Sequence, residues 1–377
     1  MRTSQYRWSP SNGWSASPVP SREAQWLLVF GNPDVLRSPA WHAPVREAFP
    51  FALITGCSTA GEIAGTQVVD EGLTCTAVTF RQSRVCAHVT PIQDAGDSFR
   101  AGEWLGQHVR SDDLVHVIVF SDGLRVNGSD LVRGLTSVLG PDVGVTGGLS
   151  ADGDRFRETL VVHEDRCEPG LVAAVGLHGP ALRIGYASLG GWDPFGPERL
   201  ITRSQGNVLH ELDGRSALSL YETYLGEHAA GLPASALRFP LSVRASQKER
   251  AVVRTVLAVD AEAGTMTFAG DVPQGAYAQL MRANVDRLVD GAAGAARTSS
   301  VPLSGAVPSL ALLISCVGRR LVLQQRIEEE VEAVREIVGP HTVLAGFYSY
   351  GEISPFTPTA RCELHNQTMT VTTFSEP

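Results

Sequence analysis

The chain reads GCSTAGEI at Gly56–Ile63 and GFYSYGEI at Gly346–Ile353. Both octapeptides follow a short apolar run, Phe51-Ala52-Leu53-Ile54 in one case and Val343-Leu344-Ala345 in the other. Both start on glycine, carry a hydroxyl residue at the fourth place and close on Gly-Glu-Ile. A third, diverged copy, GGLSADGD at Gly147–Asp154, follows Val143-Gly-Val-Thr146. Recurrence at this distance marks an internally repeated supersecondary unit.

Working outward, each copy closes a strand, loop, helix, strand unit. The first strands are Trp26–Phe30, Val115–Phe120 and Leu310–Ser315, short apolar runs bounded by turn residues. In the third unit Ile327, Val331, Val334 and Val338 fall on one face at helical spacing. Gly140-Pro141 and Gly339-Pro340 stop the second and third helices, glycine by accepting a left-handed cap and proline by being unable to continue. TCTAVTF at 74–80 and TMTVTTF at 368–374 repeat the same alternation, threonines on one strand face and apolar residues on the other. The second unit continues with Thr159–His163 and Leu171–Leu177. The fold class expected is α/β, two domains with mixed β-sheets flanked by helices and internally duplicated strand-helix-strand units.

Different material separates units two and three. GNVLHELDGRSALSLYETYLGEH, from Gly206, reads as two short helices with Asn207 and Ser216 as N-caps and Asp213-Gly214 between them. Strands are expected near Leu241, at Val252–Val259 and at Thr265–Phe268. A helix is expected at Tyr277–Leu288 and a low-complexity loop from Gly291. The Pro/Ser-rich start reads as a disordered lead-in over 1–24, which leaves domains at 25–216 and 217–377.

Of 377 residues 43% are hydrophobic and 19% charged, so the class is globular, and the length allows a sizeable core. A formal charge of −9 opposes a basic nucleic-acid surface and a polybasic membrane contact. No apolar run is long enough to span a bilayer, and no signal peptide is read at the N-terminus. The six cysteines form no CxxC pair, which excludes a zinc knuckle and a thioredoxin motif. A cytoplasmic protein with reduced thiols is expected, with no metal and no cofactor.

The stretches GCSTAGEI, VIVFSDGL, GGLSADGDRF and GNVLHELDGRSALSLY, then FAGDVPQGAYAQLMRA, SCVGRR, LAGFYSYGEISP and CELHNQTMTVTTF, resemble in order the two halves of the FIST family. The resemblance runs from about residue 25 to the end. It implies a sensory module that binds a small ligand, with an amino acid as candidate, and passes a signal to an output domain. No kinase, cyclase or chemoreceptor segment is read after Pro377, so the output is expected to be a separate protein.

Candidate ligand-binding residues follow from the loops. Gly56, Gly61 and Gly351 sit at strand ends, where open α/β sheets gather ligands and where glycine lets a ligand approach the backbone. Glu62 and Glu352 can hold an ammonium or can pin their own loops. Cys57 and Ser58 share the first loop. Cys57 is either a nucleophile or a small buried residue, and the third unit's Phe347 in the same place favours the second. Asp152 holds the matching loop of unit two. Arg319 and Arg320, at a helix start, are candidate anchors for a carboxylate or a pair answering Glu328–Glu330. Tyr348 and Tyr350, two apart in an extended segment, can line one wall or pack in the core. Asn366 reads as a turn or ligand hydrogen-bonding residue. The rival to a binding protein is a cysteine-dependent transferase or hydrolase at Cys57 or Cys316, and the third reading is a protein-interaction scaffold.

Overall fold

Three sheets share one plan, and each borrows its edge from the next unit. They are seen in a computed structural model that describes all residues except 17, 19, 71, 247–250 and 357–359. The protein is α/β, with mixed or antiparallel sheets flanked by helices.

In the first sheet Arg2–Ser9, Leu73–Thr79, Trp26–Gly31 and Leu53–Ser58 lie side by side. In the second the matching strands are Arg84–Pro91, Leu171–His178, Leu114–Ser121 and Gly144–Leu149. In the third they are Arg183–Leu189, Met369–Ser375, Leu310–Cys316 and Val343–Ser349. In every unit the two inner strands are parallel, as a crossover helix requires, and the strand beyond is antiparallel.

The chain then leaves each octapeptide and pairs elsewhere. Glu62–Ala64 of unit one adds to Val343–Ser349 of unit three, with Ile63 opposite Gly346. Val161–His163 of unit two adds to Leu53–Ser58 of unit one. Gly351–Pro355 of unit three adds to Gly144–Leu149 of unit two. The exchange is cyclic and closes on itself. At its centre a ring of three equivalent backbone bonds joins the loops. Ala60 N donates to Tyr348 O (2.9 Å), Tyr350 N to Leu149 O (3.1 Å) and Ala151 N to Ser58 O (3.0 Å).

The recurring first glycine has a structural cause. A Cβ on Gly56, Gly147 or Gly346 would overlap the backbone carbonyl of Val29, Val119 or Leu313 on the neighbouring strand. The inner faces meet around Phe30, Phe120 and Phe347, whose ring centroids lie 4.7–6.2 Å apart. Phe347 fills the middle, so its counterparts are small: Cys57 is buried in the same cluster, and a Cβ on Gly148 would stand 2.7 Å from Ile314 Cγ2. This is size complementarity in a close-packed core.

A β-rich module, from Trp192–Gln205 to Tyr277–Ala283, is inserted into unit three. Its sheet crosses the boundary read at Ala217, because Val208–Leu212 pairs with Thr265–Phe268. Several local expectations are corrected here. Arg2–Ser9 is a strand, not disordered lead-in. It lies before the Pro/Ser-rich stretch and pairs along Leu73–Thr79, while Gln5 Nε2 donates to Leu344 O (3.0 Å). Positions 17 and 19 of that lead-in lie outside the described residues. Val208–Leu212 is a strand, so Asn207 caps no helix and donates instead to Phe268 O. Ser216 does cap Ala217–Leu225, by accepting from Ser219 N. Tyr277–Ala283 is a strand. The helix is Val285–Ser300, which starts at the Asn284 cap and buries an alanine stripe where a loop was expected.

Candidate functional site

Where the three loops meet there is a cavity of about 330 Å³. Unit one contributes Asn32, Thr59–Glu62 and Asp70, unit two Asp152–Arg155, and unit three Val317, Arg320 and Leu321. It lies at the carboxyl ends of the inner strands, the customary ligand position of such sheets.

Four of the residues singled out in the sequence face it: Gly61, Glu62, Asp152 and Arg320. Glu62 is 1% exposed. Its Oε1 accepts from Thr59 Oγ1, while Oε2 has no hydrogen-bond partner. Burial, the largest cause, pushes its carboxyl up to about 8; the Thr59 bond and Arg320 pull down, and Asp70 adds to the rise. Arg320 is engaged: both terminal nitrogens bind Asp70 at 2.6 Å and Nη1 also donates to Ala60 O. Arg155 pairs with Asp34 (3.0 Å) and donates to Asp152 O (2.8 Å). Asp152 is spent on its own loop, accepting from Phe156, Arg157 and Glu158 N and from Tyr350 OH. Glu62 Oε2 is sealed from solvent and has no hydrogen-bond partner, while Asp154 on the same wall is an acid exposed to solvent.

The remaining candidates hold the fold. Glu352 is the repeat-mate of Glu62, but its Oε1 accepts from Ser349 Oγ (2.6 Å) and Oε2 from Thr368 N (3.1 Å) and Oγ1 (3.0 Å). Burial raises it to about 8 as well. Arg319 is no surface anchor. It is fully buried, with Nε and Nη2 on Glu330 Oε2 (2.9 and 2.6 Å), and Glu330 Oε1 accepts from Tyr348 OH (2.8 Å) and Ser315 Oγ (2.9 Å). Tyr348 and Tyr350 do not share a wall, because the chain bends between them and Tyr350 stacks on Phe156 at 4.7 Å. Ser58 Oγ donates to Ala151 O (2.9 Å) and accepts from Leu160 N. Gly351 pairs with Leu149. Asn366 clasps Tyr350 O to Thr255 N of the inserted module. Gly56 and Cys57 lie in the core, and burial pushes the Cys57 and Cys316 thiols far above their ordinary range.

Sequence reading missed Asn32, Asp70, Asp154 and Arg155 on the cavity wall. Asn32 directly follows the first inner strand, so the strand-end rule reaches it. Asp154 and Arg155 immediately extend the Asp152 loop. Among the described residues no group of three or more acidic, histidine or cysteine side chains is placed to hold a metal.

A cavity ringed by loops from a repeated α/β framework, with acidic and basic side chains on its wall, is the arrangement of a small-ligand binding module. The chain belongs to the FIST family: residues 25–215 match the FIST N domain and 217–355 the FIST C domain. FIST domains are small-ligand sensory domains. Two solved structures match over nearly their whole length. One is a chorismatase, at 8% identity and TM-score 0.36, over 99% of this chain and 98% of that one. The other is a cyanuric acid hydrolase from A. caulinodans, at 9% identity and TM-score 0.32, over 100% and 99%. No curated protein matches the chain. No helix among the described residues is long and apolar enough to cross a membrane.

Proposed function

We propose that this chain senses a small metabolite carrying an ammonium group, with an amino acid as the favoured ligand, bound in the cavity of the three loops. One observation carries the reading: Glu62 lines the cavity, and its Oε2 is sealed from solvent and lacks a partner. Burial holds this carboxyl protonated near neutral pH, and a ligand ammonium would offset the cost of ionising it by a charge-assisted bond. The ligand carboxylate would turn to Arg155, because Arg320 is held by Asp70 and Ala60. Because the wall draws on all three units, a bound ligand favours the arrangement in which they are closed together, a shift of population. The signal would pass to a separate protein in the cytoplasm.

We read the chain as a binding protein rather than an enzyme at Cys57 or Cys316. Both thiols are fully buried and held protonated by that burial, which disfavours nucleophilic attack. The test is a thermal-shift screen of the wild-type chain over the twenty amino acids. A concentration-dependent rise for one or a few, lost in Glu62→Gln, is expected. No rise with any of them overturns the amino-acid reading.

A further inference from the structure

We propose a second, independent ligand site, for a small organic carboxylate with an apolar body, in the seam between the inserted module and units two and three, with Arg254 as its anchor. A cavity of about 250 Å³ opens there. The helix Gly128–Leu139 walls it with Val132, the inserted module with Val243 and Val252, and the strand Cys362–His365 with Leu364.

Arg254 lines this cavity and is 6% exposed. Its Nε donates to Asp271 O (2.9 Å), and Nη1 donates to Leu364 O (2.8 Å) and Val253 O (3.4 Å). These are backbone carbonyls, and no carboxylate among the described residues forms an ion pair with this guanidinium. Nη2 donates to no acceptor among those residues, and it is not one of the sealed polar atoms of the core. The nearest acid, Asp271, is already taken by Asn127 Nδ2 (2.7 Å) and Arg133 Nη1 (3.1 Å). Glu363 is exposed to solvent.

A guanidinium presents two parallel donors to a carboxylate, and a desolvated one gains most from an anion. Burial draws the Arg254 guanidinium down to about 10, against Asp271 and Glu363, which favour its charge. An anion at Nη2 would oppose that depression. Val132, Val243, Val252 and Leu364 offer an apolar patch for a hydrocarbon body, beside Ser129, Arg133, Asp271 and Glu363 on the same wall, and such pockets fix ligands by few polar contacts. The site spans the seam, so its occupation would also hold the inserted module against the three-unit ring.

The test is isothermal titration of the full chain with sodium benzoate, with benzamide as the uncharged match and hexanoate as a second acid. Saturable benzoate or hexanoate binding is expected, with benzamide at least about tenfold weaker, the loss of one charged hydrogen bond. Arg254→Met should abolish it. If that variant does not fold, Val252→Phe, which fills the cavity and keeps the guanidinium, decides by the same loss. Equal binding of benzamide, no binding of either acid by the wild type, or wild-type affinity in a folded Arg254→Met or Val252→Phe overturns the proposal.

Discussion

Glu62 and Glu352 occupy the same place in two repeats, each beside a hydroxyl three residues back, yet only Glu62 keeps an oxygen without a partner. Thr368 supplies the two extra donors at Glu352. Unit one has no such donor at Glu62, and the cavity lies there instead. Repetition gave the fold two equivalent acids, and one of them keeps an oxygen without a partner among the described residues.

The satisfied member should behave as a structural acid. Glu352→Ala strands Thr368 N in the core and should cost roughly 1–3 kcal/mol, whereas Glu352→Gln can keep the bonds to Ser349 and Thr368 and should cost little at pH 7. Denaturant unfolding of both variants measures this.

The two acids also set a pH slope. Their ordinary carboxyl value of 4.5 rises to about 8 in the folded chain. Between those values the native state holds protons that the unfolded state has released. Their contribution to stability is complete below the lower value and is lost as pH rises through about 8. The loss is about 1.4 kcal/mol per pH unit for each group. Unfolding free energies from pH 5 to 9 should decline more steeply in wild type than in a Glu62→Gln/Glu352→Gln double variant.

The cyclic exchange predicts that the family's N-terminal domain does not stand alone. In a 1–215 fragment, Glu62–Ala64 loses its partner strand and Gly144–Leu149 loses its cover. An unpaired edge is a template for aggregation. Size-exclusion and hydrogen exchange should show association or absent protection at 62–69 and 144–149.

Cys86 should be the first thiol to react. It is half-buried, its Sγ lies 3.2 Å from His178 Nε2, and His178 Nδ1 is held by Ser111 Oγ at 2.9 Å. Burial raises the Cys86 thiol and lowers His178, so the advantage of Cys86 over Cys57 and Cys316 is its access to solvent. Peptide mapping after brief maleimide treatment should find Cys86 before Cys57 and Cys316.

What the sequence could carry was local and periodic. The strand–helix–strand units, the helix stops at Gly140 and Gly339 and the helix face of Val331, Val334 and Val338 are all present as read. Which unit pairs with which is a tertiary choice, so nothing near Glu62 announces a partner at Phe347. The site suffered in the same way. Arg319 and Arg320 are neighbours, but a helix turns successive side chains about 100° apart. One therefore enters the core to meet Glu330 and the other reaches Asp70 on the cavity rim. A stretch as short as Tyr277–Ala283 fits either a helix or a strand by its mixed polar and apolar pattern, and the structure makes it a strand.

An ammonium that binds the Glu62 carboxylate must displace its proton, so affinity should rise about tenfold per pH unit up to about 8 and then level off. The direct measurement is titration calorimetry, between pH 6 and 9, of whichever amino acid stabilises the chain in the screen. Rising affinity with release of one proton in wild type, and a flat, weak profile in Glu62→Gln, is the predicted result. A pH-independent affinity that survives Glu62→Gln would contradict it.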